Sequence, residues 1–111
     1  MRFSFVLTLA GLLLAGSAHA SGDPVRGQEI SKTCQACHGA DGNGVGDPQY
    51  PILAGQYPDY LTVALKAYRG KTRANVIMQG FATTLSDKDI QDLAAYFSSQ
   101  TSKITDLSHH E

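Results

Sequence analysis

The sequence has no tryptophan, only two cysteines and no excess of positive charge over its 111 residues. Lysine and arginine number 9 against 10 aspartates and glutamates, so the formal net charge is −1. This balance excludes a polybasic protein that binds the nucleic-acid backbone. The length allows one domain, and a domain this small has a small core that is often completed by a disulfide, a metal or a cofactor.

A long apolar run occurs only at the amino terminus. Met1 and Arg2 precede an apolar stretch over residues 3–15, and residues 18–20 form an A-x-A cleavage signal before Ser21. The stretch is shorter than the roughly 20 residues of a membrane-spanning helix, although a retained anchor is the alternative. We therefore expect residues 1–20 to be a cleaved signal peptide that exports the protein.

Three stretches show helical periodicity, and no stretch alternates like a strand. Asp23 and Pro24 predict the start of a helix that continues to about Thr33. A second helix is predicted over residues 59–68, and a third begins at Ser86 with a near capping box. The apolar positions of the second and third repeat at helical spacing: Leu61, Ala64, Leu65 and Tyr68, then Ile90, Leu93, Ala94 and Phe97.

The remaining sequence predicts loops. Residues 39–47 contain four glycines, residues 80–85 read as a second irregular segment, and residues 73–77 favour at most a short helical turn. The fold class is therefore all-α with long loops. This is more loop than so small a core supports, unless a large group lies at its centre.

The two cysteines lie in Cys34-Gln35-Ala36-Cys37-His38, which is the C-x-x-C-H sequence of covalent haem c attachment. One helical turn presents both thiols to the vinyl groups at one edge of the ring, and the histidine that follows supplies the proximal imidazole. A zinc site, a redox-active dithiol and a plain disulfide are the alternatives. Zinc requires four ligands and a thioredoxin-like dithiol requires a βαβ context, which is absent.

Met78 is the candidate for the second axial ligand, because it is the only methionine left once Met1 is removed. A thioether ligand favours ferrous iron and closes the sixth coordination position. The alternative is a methionine that only fills the core. His19 leaves with the signal peptide, while His109 and His110 lie in a polar tail that is either solvated or forms an adventitious or functional copper or zinc site.

Four segments together resemble a class I c-type cytochrome over residues 23–100. They are CQACHGADGNGVGD, PILAGQ, IMQG and LSDKDIQDLAAYFSSQ. The sequence is most similar to a single-haem half of the cytochrome c-four group and to small monohaem periplasmic cytochromes c. The resemblance implies a cytochrome c fold in which three to four helices wrap around one covalently bound haem. It also implies that the Pro51 carbonyl accepts the His38 N–H, and that Gly27 lies at a helix crossing against Tyr96 or Phe97.

The domain organisation expected from this resemblance is a signal peptide over 1–20, a cytochrome c domain over 21–100 and a polar tail over 101–111. The implied function is periplasmic one-electron transfer through one haem c with His38 and Met78 as iron ligands, without enzymatic activity of its own. The partners would be a dehydrogenase or quinol-oxidising complex as donor and an oxidase or reductase as acceptor, with no nucleic acid and no membrane span after cleavage.

Two other functions remain open at this point. The domain would alternatively be the haem c subunit of a larger periplasmic dehydrogenase, such as a flavocytochrome c sulfide dehydrogenase. A haem sensor or peroxidase-like enzyme requires an open sixth position, and so requires that Met78 does not bind iron.

Two further groups of residues are candidates for surrounding the haem. A basic cluster is a solvated helix end, a partner-docking patch or a source of cations for the haem propionates. It consists of Lys66, Arg69, Lys71 and Arg73. The expected apolar shell consists of Ile52, Leu53, Tyr57, Leu61, Leu65, Tyr68, Ile77, Leu93 and Phe97.

Overall fold

The computed structural model describes residues 22–104. The predicted signal peptide, together with His109 and His110, lies outside this range. Within it there are five α-helices and no strand, which confirms the all-α prediction but exceeds the expected three to four helices. The helices are α1 Pro24–Ile30, α2 Gln35–His38, α3 Pro58–Arg69, α4 Val76–Ala82 and α5 Asp87–Ser99, with a 3₁₀ turn at Ser31–Thr33 between α1 and α2.

Local capping interactions start α1 and α5 where the sequence predicts. The Asp23 carboxylate accepts hydrogen bonds from the backbone N–H groups of Val25 at 2.9 Å and Arg26 at 3.2 Å. At α5, the Ser86 hydroxyl accepts the Asp89 N–H at 3.0 Å and the Asp89 carboxylate accepts the Ser86 N–H at 2.9 Å. This completes the capping box, with aspartate in the place of the usual glutamate.

The prediction of irregular structure between α3 and α5 was wrong for its central part. Helix α4 covers Val76–Ala82, so Met78 and Gly80 are helical, and only the first residues of α4 overlap the predicted turn at 73–77. The Asn75 side chain accepts the Met78 N–H at 3.0 Å and caps the helix. The helix is short and contains both β-branched residues and a glycine, which weakens its sequence signal.

Helices α1 and α5 cross at close range, with Gly27 at the contact. A Cβ atom on Gly27 would overlap the Asp92 carbonyl and lie 2.8 Å from Cβ of Tyr96. Only glycine allows the two backbones to approach this closely. The family resemblance had implied this crossing, and the structure selects Tyr96 as the aromatic partner.

The Asp92 carboxylate is buried beside this crossing, with 1% of the residue exposed. It accepts hydrogen bonds from the Asp23 backbone N–H at 2.7 Å, the Lys88 ammonium at 2.8 Å and the Arg26 guanidinium at 2.5 Å. Burial alone would raise the pKa of Asp92, but the bonds from Lys88, Asp23 and Arg26 outweigh it and lower that pKa to about 2. The carboxylate is therefore ionised at neutral pH and joins α1 to α5.

The glycine-rich loop after α2 folds back on itself and onto the segment that follows α5. The Gly42 carbonyl accepts the N–H groups of Leu53 at 2.7 Å and Ala54 at 3.0 Å. The buried Asn43 amide donates to the Thr101 carbonyl at 3.0 Å and accepts the Lys103 N–H at 2.7 Å. The hydrogen-bonded structure thus continues past the end of α5.

The core lies between α3 and α5. One cluster of its buried residues consists of Leu61, Leu93, Ala94, Tyr96 and Phe97, and Ile30, Leu53, Leu65 and Leu85 pack against this cluster while partly exposed. Helix α4 also packs on α3. No helix in residues 22–104 has both the length and the apolarity to cross a bilayer.

Candidate functional site

A cavity of about 520 Å³ opens between α2, α3 and α4, with α5 at its base. This volume is in the range of pockets that bind small molecules and cofactors. Most of its lining is apolar. The apolar and aromatic lining residues are Tyr50, Pro51, Ile52, Leu53, Tyr60, Leu61, Ala64, Leu65, Tyr68, Ile77, Phe81, Leu93, Ala94 and Phe97.

His38 lines this cavity at the end of α2 and is 5% exposed. Its Nδ1 lies 2.8 Å from the Pro51 carbonyl oxygen. A carbonyl only accepts, so this contact requires the proton on Nδ1 and leaves the lone pair of Nε2 for another partner. The helix ends immediately afterwards at Gly39, whose φ of 84° turns the chain away.

Cys34 and Cys37 line the same cavity and are half-buried on one helical turn. Burial raises the pKa of the Cys34 thiol, with a smaller opposing contribution from the Thr33 hydroxyl. The two thiols are free rather than joined in a disulfide. Residues 22–104 also contain no group of three or more histidine, cysteine or acidic side chains placed for a metal ion, so the zinc alternative has no ligand set there.

Met78 reaches the cavity from α4, so the structure brings it together with both cysteines and His38. Its side chain is half-buried, and its neighbours Ile77 and Phe81 also line the cavity while remaining 54% and 49% exposed. Two thiols, one thioether and one imidazole therefore line the same mostly apolar chamber.

The predicted apolar shell lines this cavity, with one exception. Tyr57 was expected in the shell, but it does not line the cavity and is 79% exposed. Tyr57 precedes α3 as its N-cap, so its side chain does not share the apolar stripe of that helix. Tyr60 lines the cavity instead, and its position one helical turn before Ala64 is the sequence signal that would have identified it.

The structure divides the basic cluster into residues with different contacts. Arg69 donates to the Leu85 carbonyl at 3.0 Å and to the Asp87 carboxylate at 2.6 Å, which attaches the end of α3 to the start of α5. Arg73 lines the cavity. Lys66 and Lys71 are exposed to solvent and do not line the cavity.

These residues fit a covalently bound haem. Two thiols on one turn provide the atoms for thioether bonds, the free Nε2 of His38 is a nitrogen donor, and Met78 provides a sulfur donor. The apolar walls suit a flat hydrophobic ring, and no buried side-chain oxygen or nitrogen within residues 22–104 lacks a hydrogen bond.

Comparison with known proteins agrees with this fit. The cytochrome c family model matches residues 24–101. Cytochrome c4 of Pseudomonas aeruginosa is 46% identical across 87% of this chain and 46% of its own length. Cytochrome c-554(548) of Halomonas halodenitrificans is 47% identical across 72% of this chain and 99% of its own length.

A solved structure shows the same fold. The crystal structure of reduced recombinant cytochrome c4 from Pseudomonas stutzeri superposes with a TM-score of 0.71 at 39% identity, over 76% of this chain and 48% of that one. The chain thus spans about half the length of the cytochrome c4 relatives that it matches. The family supports covalent haem c as the cofactor. The chain belongs to the cytochrome c family, as a class I member of the cytochrome c4 group.

Proposed function

We propose that this protein is a one-electron carrier that holds a single haem c and works in the periplasm after residues 1–20 are removed. The observation that carries the proposal is the cavity itself, where Cys34, Cys37, His38 and Met78 meet within apolar walls. Residues 1–111 contain one C-x-x-C-H sequence, which supports one haem for this chain.

In this proposal Cys34 and Cys37 anchor the porphyrin, and His38 and Met78 bind its iron, which supplies the one-electron ferric–ferrous couple. The Pro51 carbonyl, 2.8 Å from Nδ1 of His38, holds the imidazole ring in one orientation and strengthens Nε2 as a donor. The Met78 thioether favours the reduced state and occupies the position where a small ligand would otherwise bind.

The walls of the cavity exclude water and provide the contact with a redox partner. Leu61, Leu93 and Phe97 are buried and exclude water, which disfavours the more highly charged ferric state. Ile77 and Phe81 are about half exposed where α4 borders the opening. This side provides the short route for an electron to a redox partner, and such encounters bury little surface.

The first test is the spectrum of protein exported from a host with cytochrome c maturation machinery. Covalent haem in alkaline pyridine and a weak long-wavelength sulfur-to-iron band are expected. Met78→Ala should lose this band, become high-spin or water-bound and show a large fall in reduction potential. Ile77→Ala is the matched control, because it lines the same cavity from the same helix and should keep the band.

Carbon monoxide distinguishes a carrier from a sensor or peroxidase-like enzyme. Reduced wild-type protein should bind it poorly at neutral pH, whereas Met78→Ala should bind it readily. Rapid binding by the wild type would overturn the carrier proposal and favour an open sixth position.

A dehydrogenase subunit is the second candidate, since the solved thiosulfate dehydrogenase (TsdBA) from Marichromatium purpuratum also superposes, with a TM-score of 0.64 at 26% identity over 78% of this chain and 21% of that one. Purification from the native host separates the two candidates. A free carrier elutes as a small haem protein, and a larger flavin-containing chain that co-purifies in fixed ratio would favour the subunit.

A further inference from the structure

Met78 receives little support from packing. Of the described residues of α4, Ala82 alone is buried, whereas Met78 is half-buried and Val76 is exposed to solvent. The helix has only 7 residues, which is too few for its own backbone hydrogen bonds to keep it formed. The position of the Met78 thioether therefore depends on other contacts that hold the first turn of α4.

Asn75 makes such a contact at the start of α4. Its Oδ1 accepts the Met78 N–H at 3.0 Å, and its backbone carbonyl accepts the Gln79 N–H at 2.9 Å. The backbone of Asn75 is extended, as is typical of a helix N-cap. Asn75 also lines the same cavity as Met78. One side chain thus binds the backbone of the candidate ligand directly.

The connection that carries Asn75 is attached to α3. Lys71 has a left-handed φ of 61°, and its N–H donates to the Tyr68 carbonyl at 3.1 Å. The Thr72 N–H donates to the Ala67 carbonyl at 2.9 Å, which completes a Schellman motif at the end of α3. The hydrogen bond from Asn75 therefore links Met78 to the helix that forms the neighbouring wall of the cavity.

We propose that Asn75 is the positioning residue for Met78, and that Met78 leaves the iron only when the hydrogen bond between Asn75 Oδ1 and the Met78 N–H opens. This inference rests on the proposed function, since it requires a haem in the cavity with Met78 as its sixth ligand. Asn75 acts through the backbone of Met78 and thereby controls how often the sixth position is open to a small ligand.

The strength of an N-cap sets the size of the expected effect. Replacing an asparagine N-cap by alanine shifts the equilibrium between capped and uncapped helix by about fivefold, whereas serine caps about as well as asparagine. If release of Met78 requires the bond to open, the fraction of molecules with Met78 released rises by the same factor. Carbon monoxide needs the vacant sixth position, so its binding rate follows that fraction.

The experiment measures carbon monoxide binding to reduced holoprotein whose oxidised form shows the sulfur-to-iron band. Asn75→Ala should bind about fivefold faster than the wild type, and Asn75→Ser should restore the wild-type rate. Thr83→Ala is the matched control, since Thr83 Oγ1 donates to the Gln79 carbonyl at 2.6 Å at the other end of α4. This variant removes a side-chain hydrogen bond from the same helix without touching the Met78 N–H, and it should keep the wild-type rate.

The control separates a positioning role from a purely structural one. A cap that only stabilises the helix would lower the free energy of unfolding in Asn75→Ala and leave the carbon monoxide rate unchanged, which would overturn the inference. An equal acceleration in Thr83→Ala would overturn it as well, because any loss of helix stability would then suffice to release Met78.

A second measurement uses the wild type and applies even if Asn75→Ala does not accumulate as holoprotein. Hydrogen exchange of the Met78 amide, under conditions where every opening leads to exchange, reports how often its bond to Asn75 opens. This opening should be at least as fast as carbon monoxide binding at saturating gas. Slower opening would show that Met78 leaves the iron with the bond intact, and would overturn the inference.

The outcomes also separate this inference from the function on which it rests. Wild-type protein without covalent haem, or with haem but without the sulfur-to-iron band, would overturn the proposed function. Covalent haem with the band, together with a wild-type rate in Asn75→Ala, would overturn only the role of Asn75.

Discussion

Two regions of the molecule are packed in opposite ways. One is the crossing of α1 and α5, and the other is the cavity between α3 and α4. At the crossing, Gly27 brings two backbones into contact, and the buried Asp92 has three hydrogen-bond donors from the protein itself. At the cavity, apolar side chains of α3, α4 and α5 line a chamber of about 520 Å³, and Ile77 and Phe81 remain about half exposed.

The difference shows how a small domain divides its stability between polypeptide and cofactor. Polar groups at the crossing are satisfied by neighbours in the chain, so this end is complete as a protein structure. The apolar surface around the cavity is buried only when a hydrophobic group of matching size enters. We therefore expect contacts within the chain to stabilise the crossing, and haem binding in the cavity to stabilise α3 and α4.

The largest expected effect comes from removing the covalent anchor. The double variant Cys34→Ala, Cys37→Ala should carry no covalent haem and lose helix content and cooperative unfolding, because the cavity walls then have no apolar partner. Circular dichroism and the alkaline-pyridine spectrum measure these losses. Lys66→Ala, on the exposed side of α3, is the control, and wild-type helix content in the haem-free double variant would contradict the division drawn above.

Substitution at the α1–α5 crossing should lower the free energy of unfolding without changing haem attachment. Asp92→Asn leaves Arg26 and Lys88 without their buried carboxylate and should lower the free energy of unfolding by about 3 kcal/mol. Denaturant titration of the holoprotein measures this change. Asp87→Asn, which removes an exposed carboxylate paired with Arg69, should cost much less than Asp92→Asn.

The reduction potential provides the contrasting readout for these two aspartates. It should stay near the wild-type value in both variants, since neither carboxylate lines the cavity. A large shift of potential in Asp92→Asn would show that the crossing and the haem site are not separate.

Two glycine-to-alanine substitutions test the difference between the crossing and α4. Gly27→Ala should destabilise the protein by about 2 kcal/mol, because the added methyl overlaps the Asp92 carbonyl and forces α1 away from α5. Gly80→Ala places the same methyl on α4, where a Cβ atom meets nothing within 4 Å. It should stabilise the helix by about 0.5 to about 1 kcal/mol. Equal effects of the two changes in thermal unfolding would contradict this interpretation.

Acid down to about pH 2 should produce a smaller effect than Asp92→Asn, because the folded pKa of about 2 leaves the carboxylate of Asp92 only partly protonated there. The folded pKa of about 2 lies below the ordinary value of 3.8, so the stabilisation from this carboxylate is fully present above pH 3.8. It declines as the pH falls below 3.8 and is lost as the pH falls through the folded pKa of about 2. Unfolding free energies of the wild type and Asp92→Asn should therefore converge over this interval.

The parts of the fold that the sequence predicts well are those with contiguous signals. Asp23 with Pro24 and Ser86 with Asp89 mark helix starts because capping depends on residues only a few positions apart. Helix α4 was missed because Asn75 is its only strong local signal, and β-branched residues and Gly80 hide its apolar face.

Part of the site was also predictable, because the residues concerned are contiguous in the sequence. Cys34, Cys37 and His38 lie in one short motif, and their roles as haem ligands remain predictions along with that of Met78. The hydrogen bond to Pro51 is made by a backbone carbonyl, which carries no residue identity, so only the family resemblance pointed to it. The stacking of Arg73 on Tyr68 depends on how the chain turns after α3, and local sequence does not specify that turn.

The pairing of α1 with α5 also has a consequence for the order of events during synthesis. Helix α1 has only 7 residues, which is too short to persist alone in water, and the groups that Arg26 and Gly27 contact come more than 60 positions later. A growing chain therefore presents Cys34 and Cys37 before their surroundings can close. With haem attached as proposed, the attaching enzymes would meet the two thiols on an open chain, and folding around the porphyrin would be completed only when α5 is present.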